Sequence, residues 1–192
     1  MAVRLGCPPS LCTLLLDAGA DVDAPDFYGH SPLWAAVYGK RAGHVALLLA
    51  RGARVCQWGP GSRVVPLPWN ECPLHEAVRQ GWQWCQPLVS AGAGLGARGL
   101  LRVALDRGDV GTAKGLALAA GLRPSREWAP LPEDDWLARE MTSPPPLSRL
   151  CRYAVRACLS RAAGGRDLRP RAPLLPLPPH LVRYVLLDPL GP

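Results

Sequence analysis

The 192-residue sequence contains no isoleucine, one phenylalanine and three threonines, whereas it contains 32 leucines. Strands favour β-branched and aromatic residues, so their shortage argues against a β-sandwich or a β-barrel. The chain also lacks any run approaching the roughly 18 apolar residues that a membrane-spanning helix needs. We therefore predict an all-α protein of short helices, with no membrane as partner.

Lysine is scarce as well, with two residues in the chain. Residues 143–192 contain eight arginines and two aspartates, so this stretch carries +6 of the net charge of +7. A groove for single-stranded nucleic acid combines basic and aromatic side chains, and the aromatic residues do not interleave with these arginines. We expect no nucleic-acid partner, and a basic RNA-binding protein is the least favoured interpretation of this sequence.

The seven cysteines include no Cys-x-x-Cys pair, which favours reduced thiols. Such thiols are typical of the cytoplasm, so we expect a cytoplasmic protein, with the nucleus as a further location. Cys72, His75 and Cys85 could begin a zinc site, but a fourth ligand is missing. We predict no metal and no cofactor.

Glycine and proline are abundant, with 20 and 22 residues, and much of this excess follows an internal repeat. The residues LLLDAGADV at 14–22 recur as LLLARGARV at 47–55, an offset of 33. Two further related segments are SPLWAA at 31–36 and CPLHEA at 72–77, and the latter unit ends with LVSAGA at 88–93. Such a period predicts a solenoid of helix pairs, and the motifs resemble the ankyrin repeat.

Local chemistry supports this interpretation. Ser31 can cap a helix that has Pro32 as its first residue. Glycines that follow the leucine runs, Gly19, Gly52 and Gly92, can adopt the positive φ that ends a helix. By resemblance, His75 is the histidine that ties the repeat turn together through hydrogen bonds.

We predict ankyrin repeats over residues 1–122, with a loop inserted at 56–70, a degenerate last unit, and a linker at 123–142. The first unit is predicted to lack its first helix, which would expose apolar surface around Leu11 and Leu14 and suggests a short isoform or a fragment. In the inserted loop, Trp58 and Trp69 either anchor a protein substrate or fold back to cover the loop.

After three prolines, apolar residues recur at offsets of 0, 3, 4, 7, 8 and 11 from Leu147. This spacing predicts an amphipathic helix, with Arg149, Arg152 and Arg156 on a solvated opposite face. A spacer rich in Arg, Gly and Pro follows, and then a short helix that begins at Pro179. That second helix is expected to place Leu181, Tyr184 and Val185 on one side.

Residues 143–192 resemble a SOCS box, because the Leu-x-x-x-Cys of Leu147 and Cys151 is similar to its Elongin-binding motif. The resemblance implies that Leu147 enters a pocket of Elongin C beside Cys151, with Leu150 and Val155 in support. The Leu-Pro-Leu-Pro segment resembles the cullin-selecting motif of the Cullin-5 type and would present a rigid extended surface formed by Leu175, Pro176, Leu177 and Pro178. The alternative is that both C-terminal helices only cap the repeat stack.

Ankyrin repeats followed by a SOCS box are the layout of the ankyrin repeat and SOCS box family. This resemblance implies a non-catalytic adaptor of an E3 ubiquitin ligase, in which Elongin B/C, Cullin-5 and a RING subunit join an unknown protein substrate. No cysteine with a supporting histidine indicates a ligase active site of its own. An ankyrin scaffold without ligase recruitment is the second alternative.

Overall fold

A computed structural model of the chain describes residues 2–55, 72–93, 98–120, 147–163 and 166–186. These residues form ten α-helices and one 3-10 helix, with no strand among them, which confirms the all-α class. The α-helices are α1 (Ala2–Leu5), α2 (Pro9–Asp17), α3 (Pro32–Tyr38), α4 (Ala42–Ala50), α5 (Pro73–Gln80), α6 (Trp82–Ser90), α7 (Arg98–Asp106), α8 (Val110–Ala120), α9 (Leu147–Ala162) and α10 (Pro179–Leu186). The 3-10 helix spans Ala172–Leu174.

Helices α3 to α8 form three consecutive pairs that stack as ankyrin-like units. The first helices of these pairs, α3, α5 and α7, lie side by side in one layer, and α1 continues that layer against α3. In the second layer α2 contacts α4, and α6 contacts α8. The core between the layers contains fully buried leucines, two from each unit, namely Leu33, Leu49, Leu74, Leu88, Leu101 and Leu116.

The predicted start and stop signals are confirmed where the structure describes them. The Ser31 hydroxyl accepts the Trp34 N–H at 3.1 Å, and Pro32 is the first residue of α3. The three predicted glycines, Gly19, Gly52 and Gly92, have φ values of 89°, 79° and 96°. Each of these follows the end of a second-layer helix.

The N-terminal unit differs from the prediction, because the short helix α1 stands where no first helix was expected. The backbone around it is held by Arg41, which donates to the Val3 carbonyl, and by His44, whose Nε2 donates to the Cys7 carbonyl at 2.8 Å. Helix α2 still exposes Leu11 and 65% of Leu14. One short turn of helix is therefore too small to cover the apolar face that α2 presents.

Two predicted segments, the inserted loop 56–70 and the linker 123–142, lie outside the described residues. The same holds for Trp58 and Trp69, so their predicted roles stay predictions. Across the described ranges, no helix is both long enough and apolar enough to cross a membrane.

Candidate functional site

Helix α9 presents its apolar stripe to solvent. Leu147 is 74% exposed and Leu150 is 41% exposed, and Cys151 and Cys158 are exposed as well. Val155 is half-buried. An amphipathic helix of a folded domain ordinarily buries such a stripe, so the orientation of α9 leaves a surface that a protein partner can cover.

The opposite face of α9 is packed against the rest of the chain through Arg156. The prediction of a solvated arginine face is wrong for this residue, which is only 5% exposed. Its guanidinium donates to the Val185 carbonyl at 2.7 Å and to the Val89 carbonyl. Both carbonyls belong to the last turns of their helices, and the Val89 carbonyl also accepts the Gly92 N–H at 3.0 Å.

Burial of the Arg156 guanidinium disfavours its charged form. Burial, with a further contribution from the nearby Arg152, lowers the pKa of the Arg156 guanidinium to about 10. The side chain nevertheless remains a cation at neutral pH. Arg152 is also not simply solvated, because its guanidinium stacks on the Tyr184 ring at 4.4 Å from the ring centre.

The segment predicted to be a spacer contains the anchor of the C-terminal region. Leu168 is fully buried and forms a small core with Ala163, Ala172 and Leu186. Beside it, the buried Asp167 carboxylate accepts from the Arg169 guanidinium at 2.5 Å and from the Arg169 N–H at 2.9 Å. Sequence reasoning missed this anchor because the Arg, Gly and Pro around Leu168 are typical of loops.

The same segment joins the C-terminal region to the unit formed by α5 and α6. The Leu168 N–H donates to the Ala91 carbonyl at 3.0 Å. At Gly92, an added Cβ atom would lie 2.4 Å from the Leu168 Cγ atom. A glycine is thus required at this position for packing as well as for its positive φ.

The second predicted contact segment connects the 3-10 helix to α10. Leu175 is extended, with φ −71° and ψ 143°, but the Leu177 N–H donates to the Leu175 carbonyl at 2.7 Å. This bond bends the chain at Pro176, so the segment is not the fully extended surface that the motif predicted. Pro176 and Pro178 are exposed, whereas Leu175 and Leu177 are half-buried.

Helix α10 begins at Pro179 as predicted, and the residues expected on one side differ in their exposure, with Tyr184 half-buried. Val185 and Leu186 are buried, Val182 is half-buried and Leu181 is 40% exposed. The buried side faces the small core around Leu168. Leu181 therefore belongs to the accessible surface of the C-terminal region.

Cys85 and His75, which the sequence offered as parts of a possible zinc site, are shielded from solvent by the fold, Cys85 fully and His75 in part. Burial raises the pKa of the Cys85 thiol to about 12, which leaves it protonated and a poor nucleophile. Burial, with a contribution from Arg79, lowers the pKa of His75. The predicted hydrogen bond of His75 is not observed at its Nδ1, which is buried without a partner among the described residues.

Comparison with protein families identifies the C-terminal region. Residues 143–186 match the SOCS box family, and a comparison with curated proteins found no match. The chain therefore contains a SOCS box, which holds both the α9 stripe and the segment 175–178. A SOCS box generally binds Elongin B/C and a cullin, and proteins that carry it are typically adaptor subunits of E3 ubiquitin ligases.

Proposed function

We propose that this chain is a substrate adaptor of a Cullin-5 and Elongin B/C ubiquitin ligase with a RING subunit. In this proposal ankyrin repeats within residues 1–122 bind a protein substrate, and residues 143–192 recruit the ligase. Residues 123–142 link the two parts. The adaptor itself supplies proximity, acts in the cytoplasm and nucleus, and belongs to the ankyrin repeat and SOCS box family.

The observation that carries the proposal is the orientation of α9. Its apolar stripe is exposed, while Arg156 on the opposite face is buried against the helix pair α5 and α6. A helix that merely capped the repeat stack would turn the stripe inward, because burying a leucine contributes about 1.5–3 kcal/mol. The orientation thus favours recruitment of a partner over the capping alternative.

Within the stripe, Leu147 is the side chain with the most surface to lose on binding. Cys151 lies one turn further along the same face and behaves as a small apolar residue. We assign these two residues to the Elongin C contact, with Leu150 and Val155 completing it. Elongin C would then cover the surface that the fold leaves open.

Co-purification tests this assignment. Wild-type chain should co-purify with Elongin B/C, and L147A/C151A should lose at least about 30-fold in affinity, as expected for a hot spot of about 2 kcal/mol. Leu14 provides a matched control, since it is also exposed on a helix but lies in α2, outside the SOCS box. L14A should bind normally, and circular dichroism should show unchanged helix content in both variants.

The two alternatives make different predictions in the same assay. A scaffold without ligase recruitment would not retain Elongin B/C even as wild type, and undiminished binding by L147A/C151A would contradict the site. An RNA-binding protein would show an affinity for RNA that falls steeply with salt.

The choice of cullin is assigned to residues 175–178. Pro176 and Pro178 are the exposed members of this segment, so P176A/P178A changes the surface with little loss of burial. We expect this variant to retain Elongin B/C and to lose Cullin-5 in a pull-down with the purified complex. Equal retention of Cullin-5 would show that the segment does not select the cullin.

A further inference from the structure

A column of aromatic rings runs along α3 on the first-helix layer of the stack. The ring centroids of His30 and Trp34 are 3.8 Å apart, and those of Trp34 and Tyr38 are 4.9 Å apart, with an interplanar angle of 11° in each pair. Tyr28 extends the column beyond His30 at 6.0 Å. We call Tyr28, His30, Trp34 and Tyr38 the aromatic column.

Both ends of the aromatic column reach solvent. Tyr28 and Tyr38 are more than 60% exposed, and the neighbouring Phe27, the one phenylalanine of the chain, is fully exposed. Exposed aromatic residues gathered in one place mark interaction surfaces, and Tyr and Trp are enriched among residues that dominate binding energies. Packing among the described residues does not account for Phe27.

The loop that carries the end of the column is held in place before any partner binds. Arg4 lies over the Tyr28 ring at 4.8 Å and donates to the Asp26 carboxylate at 2.8 Å. The same carboxylate accepts the N–H groups of Tyr28 and His30 at 2.9 Å. A surface fixed in this way loses little conformational entropy on binding.

Lys40, just beyond the column, has a backbone conformation that lysine disfavours. Its φ is 54°, and it is the one residue other than glycine with positive φ among those described. The corresponding turns of the next two units have Gly81 at φ 110° and Gly108 at φ 69°. Because glycine adopts this conformation without strain, a lysine at this position calls for a reason other than folding.

Two further cations end the next helices of the same layer. Arg79 lies in the last turn of α5, and Arg107 directly follows α7. Gln80 donates to the Tyr38 carbonyl at 3.3 Å, which places the end of α5 beside the end of α3. A Cβ atom added at Gly81 would lie 3.8 Å from the Asp109 carboxylate, which places the turn after α7 next in the row.

These cations have no carboxylate within ion-pairing distance among the described residues. The acidic groups of this edge have other hydrogen-bond partners: Asp106 pairs with Arg102, the Asp109 carboxylate accepts from Thr112, and Glu76 accepts from Gln80. Arg107 nevertheless lies near enough to Asp109 for its charge to help lower the pKa of that carboxyl group. Cations at helix C-termini are stabilised by the helix dipole, which accounts for Arg79 and Arg107. It does not account for a lysine in the left-handed region.

We propose that the aromatic column, Phe27 and the three cations form one docking surface for an acidic segment of a protein partner. An apolar side chain of that segment packs on the column, and its carboxylates lie at Lys40, Arg79 and Arg107. This inference rests on the proposed function, because it assigns the substrate to a particular surface and gives its chemistry. It replaces neither Trp58 nor Trp69 as a candidate anchor.

The test uses the full chain bound to Elongin B/C and two fluorescein-labelled peptides. One peptide has a phenylalanine followed by a run of glutamates, and the other has lysines in place of the glutamates. Fluorescence anisotropy should show saturable binding of the acidic peptide that weakens with salt, and no binding of the basic one. Equal binding of both peptides, or of neither, would overturn the proposal.

Substitutions in the docking surface should weaken peptide binding, whereas a control substitution outside it should not. The variant K40G/R79A/R107A should weaken binding of the acidic peptide about 30-fold, taking about threefold for each exposed charge. Y38A should weaken it about tenfold or more. The control R51A removes a cation from the second layer, where Arg51 pairs with Asp17, and should bind normally.

K40G alone provides the sharpest measurement. Relief of the left-handed strain should raise the midpoint of thermal unfolding, while binding of the acidic peptide weakens about threefold. Unchanged binding by K40G and by the triple variant would refute the docking surface. All variants should retain Elongin B/C, so a failure here is distinct from a failure of the adaptor role.

Discussion

Asp109 shows how a single side chain sets the local stability of the last repeat unit. Its carboxylate accepts from the Thr112 N–H at 2.9 Å and from the Thr112 hydroxyl at 2.6 Å, which caps α8. The hydrogen bonds from Thr112 hold the pKa of Asp109 below its usual value. A carboxyl group with a lowered pKa stabilises the folded state while it is ionised.

Replacement of Asp109 by alanine should therefore lower the free energy of unfolding by about 1 kcal/mol at neutral pH, the usual effect of losing an N-cap. The difference from wild type should persist down to the unfolded pKa of 3.8 and disappear as the pH falls through the lower folded value. Urea unfolding at a series of pH values measures it. D106A, which removes an exposed carboxylate in the preceding turn, should have a much smaller effect.

Residues whose role depends on near neighbours in sequence were predictable. Ser31 and the three glycines act within one turn of their own helices, so their local pattern was sufficient. The partners of Arg156 lie 29 and 67 positions away in sequence, and helical periodicity alone placed this arginine on a solvated face. The hydrogen bond assigned to His75 came from resemblance, and the structure does not show it at Nδ1.

At the scale of elements, the contact between Gly92 and Leu168 decides how the SOCS box meets the helix pair α5 and α6. Both Gly92 and Gly19 have a positive φ, but an added Cβ atom at Gly19 would meet nothing within 4 Å. Alanine at either position would strain the backbone, but alanine at Gly92 would also collide with Leu168. Gly19 serves as the matched control for Gly92.

We expect G19A to cost about 1–2 kcal/mol, the penalty for a left-handed alanine. G92A should cost about 1–3 kcal/mol more, because Leu168 must move out of its packed position. Hydrogen exchange at the Leu168 N–H, which bonds to the Ala91 carbonyl, should accelerate in G92A alone. Equal destabilisation of the two variants would show that Leu168 packing contributes nothing.

Elements were predictable where proline and apolar periodicity marked them, as in α3, α5, α9 and α10. The segment around Leu168 was not, because its burial depends on α6 and α10 rather than on its own composition. The buried side of α10 was not predicted either, because it depends on the small core around Leu168. Helix existence is a local property, whereas the choice of a buried face requires knowledge of the neighbour.

For the whole molecule, the buried Arg156 means that the SOCS box is fixed on the stack rather than tethered to it. Its guanidinium joins the end of α6 to the end of α10. Leu168 adds an apolar contact at the same place. A fixed box would hold the proposed Elongin contact and the proposed substrate surface at one relative orientation.

This arrangement predicts that the two parts associate without a covalent link. Residues 1–122 and residues 143–192, co-expressed as separate chains with Elongin B/C, should co-purify. R156A in the second chain should weaken this association about tenfold or more, because it removes the hydrogen bond from the guanidinium to the Val89 carbonyl of the first chain, worth about 1.5–3 kcal/mol for a charged donor. The exposed R183A is the control, and separation of the wild-type pieces would contradict a fixed box.

The exposed stripe of α9 has a consequence for the life of the chain in a cell. Without a bound partner, Leu147 and Leu150 offer the kind of apolar surface that chaperones and proteases recognise in incompletely folded proteins. Chains made in excess of Elongin B/C should therefore be degraded. Supply of the partner would then set the abundance of this protein, more than the rate of its own synthesis.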